Sequence, residues 1–190
     1  KEIVMSYVSS IKKDGENIIL YKCSEPVPEL LLSVEDCVTI GFLDTETTGL
    51  DKQNDEIIEL ALKVVKVEEG TGKIVAIDHE YESFNEPDGH IDEGITLING
   101  ITDEMVKGKS IDWSTVDAIL REVDIIVSHN ASFDRGFMDR YSTISQNTVW
   151  ACTINDIDWL ARGFTNTKQE LLCHWHGFYF DAHRAMNDVN

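Results

Sequence analysis

Residues 41–50 read GFLDTETTGL, and the two carboxylates in that stretch, Asp44 and Glu46, decide how the rest of the chain is read. They close the run Val38-Thr39-Ile40-Gly41-Phe42-Leu43, which is apolar enough for a strand in the middle of a sheet. Residues two apart on a strand point to the same face. Asp44 and Glu46 then lie side by side and repel each other, which is costly unless a cation sits between them. The alternative is a strand ending in a polar turn, with Asp44 capping backbone and Glu46 in water. Ten residues do not choose between the two, so the remainder of the chain has to.

Working outward, strand 37–43 runs into a polar loop at 51–55. The β-branched stretch IIELALKVVKV (57–67) and the Gly70-Thr71-Gly72 turn predict a strand pair, 57–67 with 73–84. Pro87 and Gly89 place a loop over 85–94, with a short helix over 94–99. Thr102 opens Thr-Asp-Glu-Met, an N-cap pattern. Ile111 to Val123 has amphipathic helical spacing, Ile125-Ile126-Val127 reads as a short buried strand, and Phe133 to Tyr141 as helix. A last short strand is expected at 148–150. Helices are expected near 154–162 and 168–176, with Gly177 suited to the position just past a helix end. Strands come first and helices then interleave with two more strands. The fold class is α/β, a mixed sheet flanked by helices.

Ahead of this domain, Ile3, Val4, Tyr7, Val8 and Ile11 recur at helical spacing until Asp14-Gly15 stops the pattern. Ile18 to Tyr21 looks extended, and Pro26 and Pro28 mark a connector. Residues 1–36 are therefore read as an N-terminal appendage and 37–190 as the main domain. The chain begins at Lys1, so the natural N-terminus is expected to lie upstream.

The 190 residues, 42% of them apolar, suffice for one compact domain. No apolar run approaches the ~20 residues that span a bilayer, and no signal segment is recognisable, so no membrane partner is expected. Cys23, Cys37, Cys152 and Cys173 are scattered without a C-x-x-C pair and read as reduced packing thiols of a cytoplasmic protein. The formal net charge of -19 argues against holding a polyanion on a broad basic face. It leaves open nucleic acid held through divalent ions and a few local Arg or Lys.

Two further acidic sites lie far from Asp44. In IIVSHNASFDRGFMDR (125–140) a strand runs into His129-Asn130, and Asp134 stands near a helix start, where it also has an ordinary reading as a cap. In DAHRAMNDV (181–189) His183 and Asp188 straddle a second helix start. Taken together, D-x-E, then N-x-x-F-D, then H-x-x-x-x-D resembles the DEDDh branch of the DnaQ-like 3′–5′ exonucleases. DTETTGL with DEIIELAL is similar to that family's first motif, INGITDEMV (98–106) to its Gly-Ile-Thr segment, SHNASFDRGFMDR to its second motif and AHRAMND to its third. WACTINDIDW and GFYFDAHRA are most similar to stand-alone bacterial DNA polymerase III epsilon-like exonucleases. The resemblance runs from about residue 38 to 190.

The resemblance implies a ribonuclease H-like fold with a five-stranded sheet and two divalent cations, Mg²⁺ or Mn²⁺. Asp44, Glu46, Asp134 and Asp188 would be the metal carboxylates and His183 the general base. Backbone around Thr45 would hold the terminal nucleotide, and Asn130 would position Asp134 or substrate. Asn99 stands where many relatives carry His, which bears on a contact to the terminal nucleotide. The residue types suit the chemistry. Phosphodiester hydrolysis needs charge neutralised on the phosphate and on the leaving 3′ oxygen, which two hard cations ~4 Å apart provide. Hard cations take oxygen ligands, and a neutral imidazole accepts the proton of the attacking water. The expected activity is a 3′–5′ exonuclease on single-stranded or frayed DNA ends, with a polymerase or repair complex as partner. An RNA or short-oligonucleotide exonuclease and an inactive binding module are the alternatives.

Four secondary expectations complete the reading. Arg135, Arg140 and Arg184 are candidates to line a path for phosphates, although Arg140 reads better as ordinarily ion-paired. Phe133 reads as a core residue before a base contact. Cys152, Cys173, His174 and His176 match no zinc pattern, and on a helix 173, 174 and 176 share no face. The sequence stops two residues past Asp188, so the helix carrying Asp188 is expected to be nearly absent and Asp188 frayed.

Overall fold

A computed structural model describes residues 12–24, 26–29 and 37–190; the helical spacing of residues 3–11 lies outside them. β1 (Lys12–Asp14) and β2 (Asn17–Ile19) form an antiparallel hairpin. It turns at Gly15, whose φ of 59° suits a residue without Cβ. β3 (Tyr21–Lys22) pairs in parallel with a strand near the other end of the chain, Phe178–Tyr179. Further on, the Glu29 amide donates to the Ile74 carbonyl, so this part of the appendage lies along the edge of the main sheet.

The main sheet is built from β4 (Cys37–Thr47), β5 (Ile57–Glu68), β6 (Ile74–Phe84), β7 (Ile125–Ser128) and β8 (Val149–Cys152). Their order is β6-β5-β4-β7-β8. The first three are antiparallel neighbours, while β7 joins β4, and β8 joins β7, in parallel. The sheet is thus mixed and five-stranded. The helices are α1 (Glu93–Asn99), α2 (Asp103–Val106), α3 (Trp113–Leu120), α4 (Ala131–Met138), α5 (Thr143–Asn147), α6 (Gln169–Trp175) and α7 (Ala185–Val189).

Burial follows the pattern of the sequence. Along β4, Gly41, Leu43, Thr45 and Thr47 are buried, while Phe42, Asp44 and Glu46 alternate with them on the other face. Leu43, Leu60, Leu62 and Val64 pack with Val116, Leu120, Ile126 and Phe137 to form the principal core between the sheet and α3 to α5. A smaller cluster gathers Ile58, Ile91, Ile101 and Val106 beneath α1 and α2. The opposite face of β4 and β5 is polar near its centre. Phe42 pairs with Lys63, Asp44 with Ala61 and Glu46 with Glu59, and α7 packs across this face.

Four local features differ from expectation. β4 extends through Thr47, so Asp44 and Glu46 lie inside the strand and not just after it. Residues 154–162 form successive turns, because Asp156 and Asp158 turn their carboxylates onto the amides of Cys152 and Ala161 and so compete with a helical ladder. α5 was not foreseen; Ser142 caps it by accepting from the Ser145 amide. α7 does form, and Asp188 is held within it, its carboxylate accepting from the Arg184 amide at 3.2 Å. Gly177 follows α6 in the left-handed region, as its position suggests.

Candidate active site

Three segments converge at the polar face. Strand β4 presents Asp44 and Glu46, the loop after β7 leads through His129 and Asn130 into α4 with Asp134, and the segment before α7 carries His183 ahead of Asp188. All of these line one open cleft of about 490 Å³. One carboxylate oxygen each from Asp44, Glu46 and Asp188 lies within 4.8 Å of the others, so the strand's parallel pair is completed by an acid from far along the chain. Ala61 stands opposite Asp44 in the register and brings no polar group to the cluster.

Asp134 shares the cleft but belongs to a different local network. It is 1% exposed, and its Oδ1 accepts from both the amide (3.1 Å) and the hydroxyl (2.8 Å) of Thr45. Of the backbone around Thr45 expected to hold the terminal nucleotide, the Thr45 amide itself donates to Asp134. Asn99 is also buried and turned inward. Its Nδ2 donates to Glu46 at 3.2 Å and its Oδ1 accepts from the Ile101 amide, so it orients a carboxylate. Asn130 lines the cleft with φ 68°, a left-handed conformation that Asn tolerates, and its Oδ1 accepts from Ser132.

The electrostatics are those of an acid cluster short of countercharge. Burial lifts Asp44 well above the ordinary carboxylate range, with Asp134, Asp188 and Glu46 adding repulsion. Asp134 is pushed up to about 7 by burial, against the bonds from Thr45. Asp188 rises to about 6, chiefly through burial, and burial also raises Glu46. Such a set of oxygen donors fits a hard divalent cation, which removes the repulsion that now favours the protonated forms. Among the described residues this is the one group of His, Cys, Asp and Glu placed to hold a metal. No zinc site forms around Cys173: His176 hydrogen-bonds the Leu172 carbonyl and stacks on Phe164.

None of the three arginines lines the cleft. Arg135 pairs with Asp139, Arg140 donates to the carbonyls of Lys52 and Asp55, and Arg184 pairs with Glu59. Among the described residues, Lys168 is the cleft's one Lys or Arg. Sequence reasoning missed it, because a lone lysine ahead of α6 carries no signal. Its loop is tethered by His129, whose Nε2 meets the Thr167 carbonyl at 2.8 Å and whose Nδ1 meets the Thr153 hydroxyl at 2.7 Å. A carbonyl only accepts, so Nε2 carries the proton and Nδ1 accepts from Thr153. Burial keeps this imidazole neutral by lowering its pKa. Phe133 packs at a tilt against Phe137, partly buried against the core.

A family model described as Exonuclease matches residues 42–190. The chain belongs to this exonuclease family. Among curated relatives, the PolC-type DNA polymerase III of Listeria innocua is 40% identical over 115 residues, and that of Staphylococcus aureus 40% over 112. The matched stretches are 57% and 56% of this chain but only 7% of either polymerase. Among solved structures, Escherichia coli exonuclease I in complex with a dT13 oligonucleotide superposes with a TM-score of 0.60 at 18% identity. The match covers 80% of this chain and 39% of that one. Exonuclease I of Methylocaldum szegediense gives 0.58 at 18%, covering 80% and 38%. The shared fold is ribonuclease H-like, and the family resemblance read from the motifs agrees with the model match.

Proposed function

We propose that this exonuclease domain removes nucleotides one at a time from the 3′ end of single-stranded or frayed DNA, with Mg²⁺ or Mn²⁺ as cofactor. The observation that carries the proposal is the meeting of Asp44, Glu46 and Asp188 within 4.8 Å in a cleft that also holds His183 and Asp134. Asp44, Glu46 and Asp188 would bind one cation, and Asp134 with Asp44 a second. When bound, the ions supply positive charge to the phosphate and to the leaving 3′ oxygen.

The chain's own residues do the rest. His183 is exposed at the cleft, where it takes a proton from the attacking water and passes it to solvent. The carboxylates of Glu46 and Asp188 lie within electrostatic reach of that imidazole. Thr45 fixes Asp134, and Asn99 fixes Glu46. Lys168 receives the incoming phosphate backbone. Water adds to phosphorus, the bond to the 3′ oxygen breaks, that oxygen takes up a proton from solvent to leave a 3′-hydroxyl on the shortened strand, and a nucleoside 5′-monophosphate departs.

The PolC-type relatives and the oligonucleotide complexes of exonuclease I support DNA over RNA. They also support a polymerase or repair complex in the cytoplasm as the setting. The division into an appendage over 1–36 and an exonuclease domain over 37–190 is part of the same proposal. The test is 5′-labelled single-stranded DNA with Mn²⁺ or with excess EDTA. A ladder shortening from the 3′ end, absent in EDTA and absent in Asp44→Ala, is expected. Undiminished cleavage by Asp44→Ala would reject the site.

A further inference from the structure

The polar face of β5 holds a carboxylate that the proposed reaction does not use. Glu59 is 0% exposed, in a strand buried from Ile57 to Val65. Arg184 grips it as a fork: Nη2 lies 2.7 Å from Oε1, and Nε lies 3.2 Å from each oxygen. The Ala185 amide adds a third donor at 3.0 Å to Oε2. The guanidinium also lies over the Phe84 ring, 5.4 Å from its centroid. A fully buried charge in a sheet is expensive, and an apolar residue would fill the space. What a carboxylate–guanidinium fork adds is directional: it fixes both the place and the orientation of one residue.

That residue lies between two others of consequence. His183 has φ 65°, a left-handed conformation that a non-glycine side chain keeps only where its surroundings impose it. On the N-terminal side, Asp181 is tied by the Asn187 amide to its carbonyl and by Lys22 to its carboxylate. On the C-terminal side is Arg184, whose own amide donates to Asp188. Both oxygens of Glu59 are taken, so it is not a further ligand of the cluster.

We infer that the Glu59–Arg184 pair is a positioning device, which holds His183 and Asp188 against Asp44 and Glu46 from the far side of the α7 segment. This rests on the roles proposed above for His183 and Asp188. The pair acts through them and touches neither water nor phosphate.

The experiment is a double-mutant cycle on the full chain. Arg184→Ala should lower kcat on 5′-labelled single-stranded DNA by ~10-fold or more while KM changes little. In a His183→Ala background, with Mn²⁺ saturating for every variant so that the loosened Asp188 is not limiting, the same change should cost no more than about a further threefold, because the base it positions is gone. Mn²⁺ binding without DNA, read from the loss of the free-ion paramagnetic signal, should weaken as Asp188 loses its anchor. Arg184→Lys, which keeps the charge but not the fork, should not restore kcat. If Arg184→Ala does not fold, Glu59→Leu with Arg184→Leu leaves no unpaired charge and must show the same losses. Fully additive losses in the cycle, or unchanged kcat and Mn²⁺ affinity, would overturn the inference. Were His183→Ala as fast as the parent, the proton-acceptor role would fall, and the Mn²⁺ affinity of Arg184→Ala would alone decide the clamp.

Discussion

Replacing Asp134 by Asn should stabilise the protein while disabling it. The Asn carbonyl oxygen can accept the same two bonds that Thr45 donates to Oδ1, so the change removes charge and little else. Burial lifts Asp134 from an ordinary 3.8 to about 7. A folded-state pKa above the unfolded value means that the folded form holds the proton more tightly. The stability this gives is fully present below pH ~4 and is lost as pH rises through ~7. At ~1.4 kcal/mol per unit, the loss through this one group has a ceiling on the order of 4 kcal/mol by pH 8. Repulsion from the overall charge of -19 acts almost equally on parent and variant and cancels in their difference. Urea unfolding in EDTA should therefore show the two within about 1 kcal/mol at pH 4, near the unfolded-state pKa. At pH 8 Asp134→Asn should be more stable by about 1–4 kcal/mol, with Tm higher by ~2–4 °C for each kcal/mol. Saturating Mn²⁺ should narrow or reverse the gap, because the parent gains more from binding the ion. Equal stability at pH 8 in EDTA, or a variant weaker at both pH values, would refute the account of a buried carboxylate lacking its countercharge.

Three other perturbations separate the roles within the cleft. His183→Ala should slow turnover by roughly 10²–10⁴-fold; an unchanged rate rejects the proton-acceptor role. Lys168→Ala should raise KM for single-stranded DNA with little change in kcat. It should also reduce the slope of log affinity against log salt by ~0.7, the share of one phosphate contact on a single strand, and an unaltered slope removes Lys168 from the phosphate path. Asn99→Ala should raise the Mn²⁺ concentration needed for half-maximal rate, since Glu46 loses its 3.2 Å donor; a change confined to KM for DNA would instead return Asn99 to a substrate contact.

Much of this site was readable because its signals are local. The alternation that sets Asp44 beside Glu46 is a property of one strand, and each of the other two acidic motifs spans a single loop and helix start. What escaped the sequence depends on partners distant in the chain. Glu59 and Arg184 meet only because β5 pairs with β4 while α7 crosses both. Thr45 and Asn99 looked like substrate contacts, yet their donors point at acids of the same cleft. The residues around 154–162 have helical spacing, but Asp156 and Asp158 offer their own acceptors to nearby amides, a competition that hydrophobic periodicity does not register.

The order of the elements has a consequence for the newborn chain. Asp44 and Glu46 belong to an early strand, Asp188 to the last helix described and His183 to the segment just before it. On the ribosome the sheet's acids emerge well before the imidazole and the third acid that complete the cluster. A domain folds as a unit during synthesis, so the acids of the sheet meet the imidazole and the third acid only when the α7 segment has emerged and docked. On the roles proposed for these residues, the cluster can cut only from that point.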